Sequence, residues 1–127
     1  MVVVGKGNAA LCAALAARDQ GASVAMLEAA AEEESGGNSR FAGGVMRFAY
    51  SSVQDLKRVT ELTDAEIAQS DFGTNTTEEY FDDLFRLTSF RTDPALCELL
   101  VTQSLDIMVW LRGKGVKFVP NFGRQSA

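Results

Sequence analysis

The sequence predicts an α/β fold, a parallel β-α-β unit followed by a mainly helical segment, and three observations carry that prediction. A β-branched run, Val2-Val3-Val4, stops at a glycine, and an alanine- and leucine-rich stretch follows it. A second apolar run then closes on an acid, Glu28. Strand, helix and strand in that order favour parallel pairing, because the crossover helix brings the chain back to the starting edge of the sheet.

Each element follows from its residues. Val2, Val3 and Val4 have the stiff branched side chains of a buried parallel strand. Residues 8–20 are dominated by strong helix formers, and Gly21 supplies a residue able to end the helix in the left-handed conformation. Residues 22–27 return to an apolar strand. A polar, acidic connection covers 29–35, after which Gly36, Gly37, Gly43 and Gly44 break the chain into a loop that cannot be regular helix throughout. Amphipathic helices are then expected at 52–61, 64–69, 77–88 and 94–112. Thr76 and Glu79 have capping-box spacing, and Asp93 before Pro94 caps and presets the last helix. In that helix Leu96, Leu100, Ile107 and Leu111 fall on one stripe, the expected core face. It should stop near Gly113 and Gly115, with 116–119 a short strand candidate before a polar tail. The organisation expected is 1–50 for the β-α-β unit and glycine loop, and 51–127 for a helical extension of the same domain ending in that strand.

Composition narrows the function classes. The net charge is -5 and no long lysine or arginine cluster occurs, which argues against nucleic acid and anionic membrane surfaces as partners. The apolar start is interrupted by Gly5, Lys6, Gly7 and Asn8, unlike a signal peptide, and no stretch is expected to reach transmembrane length. Cys12 and Cys97 lie in apolar helical patterns, so free thiols and a cytoplasmic setting are expected. The chain has no histidine, hence no usual general base and no expected metal site; any catalysis must lean on a cofactor. Tyr80, Phe81, Phe85, Phe90 and Trp110 read as core packing, and Glu32, Glu33, Glu34, Asp82 and Asp83 as solvated charges.

One motif points to chemistry. Gly5, Lys6, Gly7, Asn8, Ala9 and Ala10 read as G-x-G-x-x-A between a strand and a helix, with Glu28 at the end of the next strand. The first glycine allows the tight turn, the second a close backbone approach to a pyrophosphate, and Ala10 close packing of helix on strand. The helix amino terminus favours the phosphates, and Glu28 would accept from a ribose hydroxyl pair. Lys6 reads as solvated at the loop edge. The pattern is that of a Rossmann-like dinucleotide site and does not by itself separate FAD from NAD.

The segment Gly36-Gly37-Asn38-Ser39-Arg40-Phe41-Ala42-Gly43-Gly44-Val45-Met46-Arg47 resembles, without a gap, the flavin-contacting loop of the fumarate reductase and succinate dehydrogenase flavoprotein family. The resemblance covers nearly the whole chain. It implies FAD as the cofactor, with Gly36, Gly37, Asn38 and Ser39 on the phosphate side of the loop and Ala42, Gly43 and Gly44 on the flavin side. Val45 and Lys6 depart from glycines usual in the family. Asn38 stands where covalent relatives carry a linking histidine, so the resemblance implies non-covalent FAD. It further implies an oxidoreductase acting on the C–C bond of a small, tricarballylate-like polycarboxylate, with room for a separate electron-transfer partner. Family members run several times further, so the chain is expected to be the incomplete amino-terminal part of an FAD-binding domain, inactive alone. The family's substrate-binding and proton-transferring residues lie beyond Ala127, and no catalytic residue is assigned.

Two other readings make different demands. An NAD-dependent dehydrogenase predicts further alternating strands and helices after Glu28, whereas a glycine-rich loop and a helical stretch follow here. A non-catalytic nucleotide-binding module would keep the turn and need no chemistry.

Overall fold

The computed structural model describes residues 1–121, so the tail expected at 122–127 lies outside the described residues. The chain forms two compact units, Met1–Met46 and Arg47–Ala127. The division falls at Met46, not at residue 50, because the intervening residues are tied to the second unit. Tyr50 and Asn75 exchange backbone hydrogen bonds of 2.8 and 3.0 Å, and the Ala49 N–H donates to Ser104 Oγ at 2.9 Å.

The first unit opens on β1 (Val2–Val4), followed by α1 (Asn8–Asp19) and β2 (Ala25–Leu27). The strands pair in parallel, with Val2, Val3 and Val4 opposite Ala25, Met26 and Leu27. Met1 O and Leu27 O extend the ladder at either end by accepting from Ala25 N–H and Gly5 N–H, at 3.0 and 2.7 Å. The expected second strand is shortened to its last three residues because 20–22 close the helix. Gly21, at φ +79°, donates to Arg18 O, and Ala22 donates to Ala17 O. Both bonds belong to a Schellman cap. Burial also differs from expectation: Val3 and Ala14 are buried, whereas Val2 and Val4 are 61 and 80 % exposed. One helix covers one face of the two strands, and alternate side chains point the other way.

In the second unit α2 (Val53–Val59), α3 (Asp64–Gln69), α4 (Thr77–Leu87) and α5 (Pro94–Gly113) follow the expected order. Their starts are set by side-chain caps. Ser52 accepts from Asp55 N–H, Thr63 with Glu66 and Thr76 with Glu79 form complete capping boxes, and Asp93 accepts from Ala95 and Leu96 N–H. The core joins Leu56 and Val59 of α2 and Tyr80 of α4 to Cys97, Val101, Met108 and Leu111 of α5.

The buried face of α5 keeps Leu111 of the predicted stripe and corrects the rest. Cys97, Val101, Ser104, Met108 and Leu111 are buried, while Leu96, Leu100 and Ile107 are 66, 51 and 45 % exposed. Apolar residues lie nearly all round this helix, so periodicity alone cannot select a face. The face is selected by packing on α2 and α4 and by Ser104, whose hydroxyl accepts from Ala49 N–H and donates to Val101 O. Contrary to the expectation from sequence, α5 is long and apolar enough to cross a membrane by length and composition. The same criterion is met by core helices of soluble proteins, and α5 contributes more than half of the core residues just named.

Three further expectations are corrected. Residues 116–119 form no strand: Val116 N–H is taken by Leu111 O in the cap that ends α5, and Phe118 O accepts from the Thr60 hydroxyl at 2.6 Å. Phe90 is not core but 80 % exposed, at φ +58° in the turn after α4, although its ring still stacks on Phe85. Asp83 is not merely solvated. It pairs with Arg47 at 2.7 Å and Arg86 at 2.8 Å, and hydrogen bonds from Arg86 and then Arg47 hold its carboxyl below the usual range. Arg47 in turn lies 4.4 Å over the Tyr80 ring and donates to Asn75, fastening the start of this unit to α4.

Candidate functional site

The first unit gathers the glycine turn, the acid and the start of the 36–44 loop around the amino terminus of α1. Gly5 turns the chain out of β1 at φ +106°, a conformation that side-chain-bearing residues rarely adopt. Gly7 is the N-cap of α1 and has ordinary extended geometry, so its requirement is one of space. A Cβ at Gly7 would stand 3.3 Å from Gly36 O and 3.5 Å from Ser39 Oγ. The second glycine of the motif thus lets the loop, as well as any ligand, approach the turn closely.

The α1 amino terminus is electropositive and carries no acid. Helix geometry leaves its first N–H groups without intrahelical partners, Gly7 supplies no capping side chain, and its first turn has no Asp or Glu. Asn8 N–H instead donates to Ser39 Oγ at 2.8 Å, a bond between positions 31 residues apart. Asn8 Oδ1 accepts a long contact from Cys12 Sγ at 3.8 Å. The second pairing has the four-residue spacing of helix neighbours, whereas no sequence pattern signals the first.

Glu28 follows the last residue of β2, and its Oε1 accepts from Ala30 N–H at 3.0 Å. That bond, with weaker support from the backbone N–H groups of Ala29, Gly36 and Lys6, holds the carboxyl below its usual range against an opposing desolvation. The acid is therefore an anion at neutral pH, placed directly after β2 and held by Ala30 N–H. Such a group can accept from a diol. Lys6 is exposed, as its position at the loop edge suggested.

The loop itself divides. Residues Gly37–Phe41 form a 3-10 turn, entered through Gly36 at φ +105°, and Ser39 of that turn meets α1 at Asn8. Ala42, Gly43 and Gly44 are exposed, and a Cβ at either glycine would meet nothing within 4 Å. Their positive φ angles, +61° and +73°, are what require glycine. The structure thus brings Gly5, Gly7, Asn8, Ala9, Ala10, Glu28, Gly36, Gly37, Asn38 and Ser39 to one end of the first unit and leaves Ala42, Gly43 and Gly44 open beyond it. A helix amino terminus without an N-cap side chain, an ionised acceptor and a close-packed glycine loop are the parts a nucleotide diphosphate requires.

The chain is similar to known proteins. The family model described as FAD binding domain matches residues 1–127. Two curated relatives, both named fumarate reductase (cytochrome), come from Shewanella frigidimarina and its strain NCIMB 400. Each is 32 % identical over 115 residues, covering 91 % of this chain and 17 % of the relative. The chain therefore spans about a sixth of the relatives it matches. No solved structure matches it.

Proposed function

We infer that this chain, which belongs to the FAD binding domain family and takes FAD as its cofactor, forms the adenosine- and pyrophosphate-holding part of a flavin-dependent oxidoreductase. The observation that carries the reading is the convergence, within one unit, of the α1 amino terminus, the Glu28 carboxylate and the glycine loop. The β1-α1-β2 unit is then the start of a Rossmann-like domain. In this reading Glu28 accepts from the ribose hydroxyls. Gly5, Gly7, Asn8, Ala9 and Ala10 offer turn and helix backbone to the pyrophosphate. Gly36, Gly37, Asn38 and Ser39 close over the phosphates, and Ala42, Gly43 and Gly44 run toward the flavin.

FAD supplies the redox chemistry, a hydride exchange with a C–C bond; the residues of this chain bind and orient. The relatives are named as fumarate reductases, which favours a small polycarboxylate as substrate. The glycine turn, residues 5–14, the Asn38 loop and the stretch from Trp110 to Gly123 also resemble tricarballylate dehydrogenase, and we take a tricarballylate-like acid as the substrate, with a separate electron-transfer partner and a cytoplasmic setting. Asn38 in place of a linking histidine makes the flavin non-covalent.

A titration of the purified protein with FAD and with NAD, read by flavin fluorescence quenching and by competition, tests the reading. FAD is expected to bind in preference, and acid precipitation to release all yellow colour to the supernatant. Preference for NAD would overturn it, and colour retained in the pellet would overturn the non-covalent assignment.

A further inference from the structure

We propose that the end of the second unit where α2 and α5 finish is a docking surface for an acidic protein partner, built from Lys57, Arg58, Arg112, Lys114 and Lys117. It lies outside the residues assigned to FAD, all of which belong to the first unit, and does not depend on that assignment.

These cations are scattered in sequence and gathered by packing. Arg112 of α5 donates from Nη1 to Lys57 O at 2.8 Å and to Arg58 O at 3.0 Å, joining the last turn of α2 to a residue 55 and 54 positions away. Lys114 is the C-cap of α5, and Lys117 precedes Phe118, whose carbonyl accepts from the Thr60 hydroxyl at the end of α2 at 2.6 Å. Lys57, Arg58, Lys114 and Lys117 are exposed. Arg58 pairs with Asp106 at 3.0 Å and Arg112 with Glu61 at 3.7 Å, whereas Lys57 and Lys117 pair with no carboxylate among the described residues.

The ordinary use of lysine and arginine at this place is to offset the negative ends of two helices, and magnitudes decide against that as their whole role. Each helix end carries about half a negative charge. Two such ends, with Glu61 and Asp106, balance about three of the five cations, so an excess of about two positive charges stays on the surface of a chain whose net charge is -5. The rest of the molecule is therefore more acidic than its total. That asymmetry turns an acidic partner toward the patch as it approaches. Val119 at 83 % and Val116 at 39 % exposure flank Lys117 and give the surface apolar area beside its charge. The mixture fits a protein face with carboxylates around an apolar contact. A long nucleic acid fits it poorly, since the two carboxylates within the patch and the acidic remainder repel a continuous row of phosphates.

The test is fluorescence anisotropy of a labelled peptide, six glutamates around two leucines, titrated with the 127-residue protein in about 0.1 M salt, where charges are screened beyond about 10 Å. The peptide should bind. Its affinity should fall about three- to tenfold in Lys57→Glu and by a similar factor in Lys117→Glu, the range expected when an exposed ion pair becomes a repulsion. Arg91→Glu changes the net charge equally at the other end of α5, about 30 Å away, and should alter the affinity by less than about 1.5-fold. Lys117 lies outside the helices, so its variant carries the test if circular dichroism shows that Lys57→Glu loosens α2. Absence of binding at millimolar protein, or an equal loss in Arg91→Glu, would overturn the proposal. So would a thymidylate octamer that binds as tightly as the peptide, because the patch would then accept any polyanion.

Discussion

Gly5→Ala tests the geometry of the site at its first residue. Gly5 sits at φ +106°, beyond the small left-handed basin that L-residues occasionally occupy. Its added methyl would meet Ala10 Cβ at 3.6 Å, ordinary contact distance, so the cost is conformational and not steric crowding by neighbours. Holding alanine there costs about 2 to 3 kcal/mol by the scale of left-handed and strained backbone states. The alternative is to swing φ negative, which takes Gly5 N–H off Leu27 O at 2.7 Å and unfastens the end of the two-stranded ladder. That route sacrifices about 1 kcal/mol for the bond and displaces the turn on which Gly7 and the α1 amino terminus depend. A net destabilisation of the first unit of about 2 kcal/mol is expected. Trp110 lies in the second unit, so its fluorescence does not report this loss. Amide exchange of Val3, Val4 and Met26 in urea does. Gly113→Ala is the control, since that glycine ends α5 without a positive φ and with open space around its Cβ. It should be neutral or slightly stabilising. Equal exchange in Gly5→Ala and the unaltered protein would refute the claim that the turn demands glycine.

Other perturbations address the acid, the core and a strained cap. Glu28→Gln should weaken ADP and FAD binding on the order of tenfold, the charge-assisted share of a diol contact. The Glu28 carboxyl is held below its ordinary value, chiefly by Ala30 N–H, so its contribution is complete above that ordinary value. The contribution is lost as pH falls through the lowered folded value. A carbon-13 titration of the side chain with its midpoint at or above 4.5 would contradict this. Val101→Ala removes methyls from a side chain only 1 % exposed, and should cost about 2 kcal/mol in a urea transition followed by Trp110 fluorescence. A loss below about 0.5 kcal/mol would show that the site is not close-packed. Ser89 holds φ +51° at the position after the α4 cap that glycine usually fills, with Ser89 N–H on Arg86 O and Phe90 N–H on Phe85 O. Ser89→Gly should therefore stabilise the second unit by about 0.5 to 1 kcal/mol, and a lowered denaturation midpoint would argue against strain there.

Local signals made much of this molecule legible in its sequence. Capping needs only neighbours along the chain, so Thr76 with Glu79 and Asp93 with Pro94 mark their helix starts by residue type and spacing alone. The same holds for the parallel unit, because β-branched and apolar runs around an alanine-rich helix leave few other arrangements. The glycines at 5, 21, 36, 37, 43 and 44 marked turns for a reason intrinsic to one residue, the absence of Cβ.

Only tertiary structure decided which surface of a helix faces inward and which distant groups meet. Leu96 and Leu100 of α5 could have been core by pattern, yet Cys97, Val101 and Ser104 are buried because α4 and the 47–50 segment pack on that side. The strand candidate at 116–119 failed because a helix cap had already taken the Val116 N–H. Nothing near Asn8 in sequence announces Ser39, and nothing near Glu28 announces Gly36. Propensity and capping act within about one turn of the chain, whereas a hydrogen bond between residues 31 positions apart exists only after the loop has been brought back. The motif types were therefore written in the sequence by itself, and their convergence on the α1 amino terminus came from chain closure.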